Sequence, residues 1–368
     1  MPDLTALSRA EQIGQFFFLG LPGPAFDEET RALLDEIRPG GVVVFARSAQ
    51  NGAQLRQLLD DVRAALPVAP LIGIDQEGGL VDRLRRVTTP IPAPRAIREA
   101  GDPAHARELG RITGQVLRLL GVNMNFAPVV DFLDETRMHN NGLLTRVLGL
   151  SPDAVAEMAE IYLDGLQSEG IFGCLKHFPG IGAGAVDAHE DLPSINLTRT
   201  EIGGLDLVPY QKLFAQDAVN AVMIGHGYYP QLSPQNPPVS ATLDEYIVTK
   251  LLREELGFRH LVVTDDMEMG AVAKHVGFEQ AIVEAFRAGS DMILICATPE
   301  LMRRGYHALT QAINDGTISE NRVQASLAHI AAVKANTPPV APFDAVRLQE
   351  LSGEIAALNQ KLNYSYGR

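Results

Sequence analysis

Ile171-Phe172-Gly173-Cys174-Leu175-Lys176-His177-Phe178-Pro179-Gly180-Ile181-Gly182-Ala183-Gly184-Ala185-Val186-Asp187-Ala188-His189 reads as a strand that runs out into a loop. The run from Ile171 to Leu175 is apolar and short, as a strand buried on both faces should be. Beyond Phe178 the chain holds too much glycine for a helix. A Lys-His pair stands at the strand's end, and an Asp-x-His pair closes the loop. Polar groups at a strand end, with a loop beyond them, are a common way to build a site. His189 is the residue of most interest. Its ordinary pKa lies near neutral pH, and Asp187 two residues earlier can orient the ring and stabilise its charged form.

The same unit recurs along the chain. Before it, short apolar strands are expected at 15–20, 40–46, 70–75 and within 122–131; after it, at 219–226, 260–265 and 290–296. Helical spacing fills the intervals, at 27–37, 51–66, 102–120, 198–216, 242–256 and 278–288. Another helix opens at Ser151, which serves as its N-cap with Asp153 in the first turn, and Thr242 stands as the cap of its own helix. Two more helices are expected at 299–314 and 319–334. Eight β/α units in this length fit a single-domain α/β fold, the (β/α)8 TIM barrel. A doubly wound open sheet is the runner-up, but no GxGxxG opens a helix after the first strand. The barrel domain is placed at 1–337, and 338–368 reads as a polar linker with a terminal helix.

Composition narrows the classes. The chain has 368 residues, 46% hydrophobic and 21% charged, as expected of a globular protein with a sizeable core. A net charge of −14 argues against a nucleic-acid partner. Cys174 and Cys296 each lie inside an apolar run, so buried free thiols are expected rather than a disulfide. No signal peptide is visible, and no apolar run reaches the ~18 residues of a membrane span. The expectation is a cytoplasmic protein with no membrane partner; the sequence does not give its oligomeric state.

In a barrel, chemistry collects at the C-terminal ends of the strands. There the sequence places Asp75, with Arg83 a turn later; Lys176 and His177, with Asp187 and His189 beyond; His226; and Asp265-Asp266. Arg146 lies in the loop region after the fourth strand. These groups allow a specific reaction. Asp265 can attack a sugar's anomeric carbon, while His189, supported by Asp187, protonates the leaving oxygen and then activates water. Asp75, Arg83, Arg146, Lys176 and His177 can exchange hydrogen bonds with sugar hydroxyls. Asp266 should point away from Asp265 if the strand continues, so a buried or capping role is expected for it. A metal site competes, since Asp75, His177, His189, His226 and Asp265 are all ligand types. Amidohydrolase-like barrels, however, begin with a His-x-His on an early strand, and none occurs here.

Four stretches resemble glycoside hydrolase family 3, and within it the β-N-acetylglucosaminidases of the peptidoglycan-recycling type. They are Ile74-Asp75-Gln76-Glu77-Gly78-Gly79 with Val81 and Arg83-Leu84; Asn125 to Asp131; Lys176-His177-Phe178-Pro179-Gly180 through Asp187-x-His189; and Val262 to Met267 with Met269-Gly270-Ala271. The third is the most specific, because it separates hexosaminidases with a His-Asp dyad from the family's β-glucosidases. By position, the resemblance makes Asp265 the nucleophile, His189 the acid/base and Asp187 its partner. Asp75, Arg83, Arg146, Lys176 and His177 would hold a terminal N-acetylglucosamine. It implies a retaining, exo-acting β-N-acetylhexosaminidase with a carbohydrate substrate and no cofactor or metal, on a barrel without the second α/β domain of larger members.

The chain departs from the family pattern at Ile181, where a His is usual, at Ala188, where Ser is usual, and at Leu80, where Arg is usual. The segment 132–144 also departs from the family's Asn- and Pro-rich stretch. These changes leave the proposed chemical groups in place and bear on loop conformation and the leaving-group side. Two alternatives stand beside the hydrolase. A His acid/base carries no negative charge when deprotonated, so a phosphorylase is one. A sugar-binding protein without turnover is the other, motivated by Ile181.

Overall fold

The computed structural model describes residues 3–133, 142–185, 187–188 and 190–366. Among the described residues ten strands form: β1 (Phe17–Gly20), β2 (Gly41–Val44), β3 (Leu71–Ile74), β4 (Gln76–Gly78), β5 (Val81–Asp82), β6 (Met124–Asn125), β7 (Phe172–Phe178), β8 (Ala221–Ile224), β9 (Leu261–Asp266) and β10 (Met292–Ile295). Eight of them close into a parallel barrel in the order β1-β10-β9-β8-β7-β6-β3-β2, while β4 and β5 form a separate antiparallel hairpin. Register pairs such as Val42↔Ile72, Ile74↔Asn125, Val222↔Val262 and Phe17↔Ile293 carry the closure. The fold is the (β/α)8 barrel expected from the alternation of short apolar strands with helices.

The strands are buried on both faces, which explains why they show no period of two. Inside, aromatic rings fill the barrel. Phe18 and Phe126 meet edge to face with centroids 5.6 Å apart. Gly41 and Gly73 make room for them: a Cβ at Gly41 would overlap the Phe18 ring, and one at Gly73 would lie 2.6 Å from the Phe126 ring. Outside, the inner faces of the helices pack on the strands, as with Leu55, Leu58, Leu59 and Val62 of Gly52–Ala65. Burial of these side chains at about 25 cal/mol per Å² is the main force holding the barrel closed.

Two helices differ from expectation. Segment 198–216 is broken into Arg199–Gly204 and Val208–Phe214. Gly203-Gly204 weakens the first, and Pro209 fits only the first turn of a new one. Thr242 caps nothing: it lies in a short 3₁₀ turn, Ala241–Leu243, ahead of Tyr246–Glu255. Its hydroxyl instead meets His226 Nδ1 at 2.8 Å and donates to the Gly225 carbonyl at 3.2 Å. Ser151, by contrast, caps its helix, accepting from the Ala154 amide.

Near the C-terminus, the helix Ala345–Lys361 lies across Pro103–Leu120 and Gly52–Ala65. It buries Leu348, Leu351, Ile355 and Leu358 in the same apolar layer as the barrel helices. Among the described residues, no helix is long and apolar enough to cross a membrane.

Candidate active site

At the C-terminal mouth of the barrel lies a pocket of about 260 Å³. Asp75, Glu77, Arg83, Arg146, Lys176, His177, Asp187 and Asp265 line it, with Val81, Ile181, Ala188, Pro193 and Met269 as its apolar wall. Seven of the eight expected site residues therefore converge on one cavity. The eighth, His189, lies outside the described residues, as do 134–141 of the divergent segment.

Each side chain has a local reason for its position. Asp75 follows β3 directly. The hairpin β4–β5 then turns back at Gly78 and Gly79, whose φ values of 103° and 59° suit glycine; a Cβ at Gly78 would collide with the Pro92 carbonyl oxygen. Gln76 locks the hairpin, accepting from the Arg83 amide at 2.9 Å and donating to Asp82 at 2.7 Å. Asn125 grips its backbone from β6, at 2.9 and 3.0 Å. Leu80 sits 66% exposed at the hairpin's tip and does not line the pocket. On β7, register against β8 shifts between Leu175 and Phe178. Three residues of β7 there face two of β8, a bulge that re-aims side chains. Lys176 and His177, adjacent in sequence and joined by a cis peptide bond, both reach the pocket.

The site is a connected ionic network. Lys176 Nζ lies 2.6 Å from both Asp75 Oδ1 and Glu77 Oε1. Arg146 clasps Glu77 with two bonds, Nε to Oε2 at 2.7 Å and a terminal nitrogen to Oε1 at 2.9 Å. The same terminal nitrogen lies 3.3 Å from His177 Nε2. Arginine can only donate, so this contact is a hydrogen bond only when Nε2 carries no proton. The ring proton then sits on Nδ1, which faces Asp131 Oδ2 at 2.7 Å. Asp131 also accepts from the His177 and Ile181 amides, fixing the start of the loop. Arg83 stands 3.6 Å from Asp75 and lies over the Phe45 ring.

Electrostatics follow from burial and these partners. Desolvation opposes the charge on Glu77, but Arg146 and Lys176 outweigh it and hold its carboxyl far below the usual range. Lys176 is likewise opposed by burial, yet Asp75 and Glu77 raise it above an ordinary lysine. Burial pushes Asp265 up, and His177, His226 and Lys176 together bring it below the usual carboxylate range. Asp265 thus stands ionised in the pocket, as a nucleophile must. Its neighbour Asp266 behaves differently: burial, then repulsion from Glu268 and Asp265, pushes it up to about 7. Its side chain accepts from the Glu268 and Cys296 amides, each at 3.2 Å, so it ties β9 to β10.

His226 is not part of the pocket lining. Its ring bonds run to Thr242 and to the Asp266 carbonyl. Among the described residues, no three His, Cys, Asp or Glu side chains are grouped as metal ligands. Cys174 and Cys296 are buried and free. Two site residues went unassigned by sequence reasoning, Glu77 and Asp131. Glu77 carried a usable signal, since residues two apart on an extended chain share a face and Asp75 stands two positions before it. Asp131 carried none beyond its place in a motif.

Residues 8–333 match the glycosyl hydrolase family 3 N terminal domain. A beta-hexosaminidase from Alkalilimnicola ehrlichii is 36% identical over 288 residues, covering 77% of this chain and 80% of that protein. The solved structure of a glycoside hydrolase family 3 beta-N-acetylglucosaminidase from Paenibacillus sp. superposes with a TM-score of 0.89 at 32% identity, over 97% of this chain and 69% of the other. A glycosyl hydrolase family 3 member from Mycobacterium smegmatis superposes with a TM-score of 0.82 at 31% identity, over 92% of this chain and 100% of its own.

Proposed function

The chain belongs to glycosyl hydrolase family 3, and from that premise we propose that it is a retaining, exo-acting β-N-acetylhexosaminidase that removes terminal β-linked N-acetylglucosamine. The observation that carries the reading is the single pocket in which an ionised Asp265 shares walls with Asp75, Arg146, Lys176 and His177. Its volume of about 260 Å³ suits one sugar ring, which favours action at a chain end.

In the first step an Asp265 oxygen forms a bond to the anomeric carbon as the glycosidic C–O bond breaks. His189 gives its proton to the leaving oxygen. In the second step His189 takes a proton from water, the water oxygen bonds to the anomeric carbon, and Asp265 leaves as carboxylate. Asp187, which lines the pocket, orients His189 and stabilises its charged form. Asp75, Arg83, Arg146, Lys176 and His177 hold the sugar hydroxyls and fix the ring for in-line attack. The described lining sets four carboxylates against three fixed cations, a balance that attracts a neutral sugar more than a phosphate. A cytoplasmic role in recycling cell-wall glycosides is part of the same proposal, and makes wall-derived disaccharides the first natural substrates to try.

The test is nitrophenol release from the β-N-acetylglucosaminide and the β-glucoside, side by side in phosphate-free buffer. Clear preference for the acetamido sugar is expected. Turnover that appears only when phosphate is added would replace the hydrolase with a phosphorylase. Binding of N-acetylglucosamine without turnover in either buffer would leave a sugar-binding protein.

A further inference from the structure

We propose that Glu77 is a positioning residue: it touches no substrate but sets both the geometry and the charge of the pocket from behind. This role rests on the hexosaminidase reading and adds to it a residue that the sugar-holding set did not include. Three donors fill the Glu77 carboxylate, two from Arg146 and one from Lys176. The side chain is 1% exposed, so no donor from a substrate has a free approach to it. Beneath it lies an apolar floor of Pro94, Leu109, Ala127, Pro128, Val129 and Leu148, with Tyr162, around a void of about 10 Å³. A void that small is at the limit for one water molecule. On that side Glu77 therefore meets an apolar wall rather than bulk solvent.

The consequence is a division of labour between two carboxylates on one extended stretch. Asp75 is partly exposed and faces the cavity, whereas Glu77 is buried and neutralises the cations that hold the sugar. Through Arg146 the hold extends to His177 and on to Asp131. Groups that must bind a sugar without rearranging are thus fixed before it arrives.

The test is Glu77→Gln, which keeps shape and one acceptor but removes the charge. KM for the N-acetylglucosaminide is expected to rise at least tenfold, with a smaller fall in kcat, because the lost interaction concerns holding the sugar ring. The pocket also loses one negative charge, which leaves three carboxylates against three fixed cations in the described lining. Asp265 and the acid/base should then titrate at lower pH, so both limbs of the kcat/KM profile shift down, and inhibition by phosphate should strengthen. A folded Glu77→Gln protein with wild-type KM, pH profile and phosphate sensitivity overturns the proposal. So does a variant that loses only stability. If Glu77→Gln does not fold, Glu77→Asp is read in its place. It keeps the charge but withdraws it by one methylene, so KM should rise while the pH limbs stay put; an unchanged KM overturns the proposal. Direct titration of N-acetylglucosamine separates this failure from failure of the enzymatic reading. Weaker binding to Glu77→Gln than to wild type is expected even if the wild type turns over no substrate; equal binding refutes the role of Glu77 alone.

Discussion

Lys176→Met tests the ionic network most directly. The substitution keeps the buried stem and removes the ammonium that lies 2.6 Å from both Asp75 and Glu77. Removing one partner of a buried ion pair costs about 3–5 kcal/mol. Here Glu77 keeps both bonds to Arg146. Asp75 is partly exposed, with Arg83 3.6 Å away, so water and a second cation can take up its charge. The cost should fall at the low end, about 3 kcal/mol. Activity should fall as well, since a hydrogen bond from a charged donor to a sugar hydroxyl is worth about 1.5–3 kcal/mol, or roughly 10- to 150-fold in kcat/KM. The pH dependence has a definite sign. Glu77 and Asp265 sit below their ordinary values in the folded protein, so their stabilising effect is present above the unfolded values near about 4 and is lost as pH falls through the folded ones. Without Lys176 that depression shrinks, and both acid unfolding and the acid limb of activity move to higher pH. Urea unfolding at several pH values and steady-state kinetics are the assays. A Lys176→Met protein within about 1 kcal/mol of wild-type stability and about threefold of its kcat/KM would refute the reasoning.

Other substitutions separate chemistry from structure. Asp265→Asn should abolish glycoside turnover while circular dichroism and urea unfolding stay near wild type; near-normal turnover would remove it as nucleophile. His189→Ala should slow substrates with poor leaving groups far more than nitrophenyl glycosides, because only the former need a proton, and equal losses would deny it the acid role. Asp291→Asn lies at the other end of the barrel, where the fully buried carboxylate accepts from Arg253 at 2.6 Å, Ser326 at 2.8 Å and the Val262 amide at 3.0 Å. It should cost about 3–5 kcal/mol in urea unfolding and leave kcat/KM of the folded protein unchanged.

The barrel was legible because its signal is local. Eight short apolar runs without a period of two, separated by segments with helical spacing, specify a parallel sheet buried on both faces, and the sequence shows both patterns directly. Asp75, Lys176, His177 and Asp265 were legible for the same reason, since a strand end in this fold is a fixed place. Where helices break was less so: Gly203-Gly204 and Pro209 signal the interruption, but the loss of Thr242 as a cap depended on His226, sixteen residues earlier in sequence and in contact only after folding. Glu77 was partly legible through its spacing from Asp75, whereas Asp131 gained its place only when β6 and β7 came together. The bulge at Lys176 and His177 is a register event between neighbouring strands, invisible in either strand alone. The sequence by itself therefore determined which barrel strands exist and which polar groups stand at their ends, because both depend on neighbours along the chain. Only the tertiary structure decided which charges pair, which groups His177 meets and why Asp265 stands ionised, because burial and the distances between strands set those.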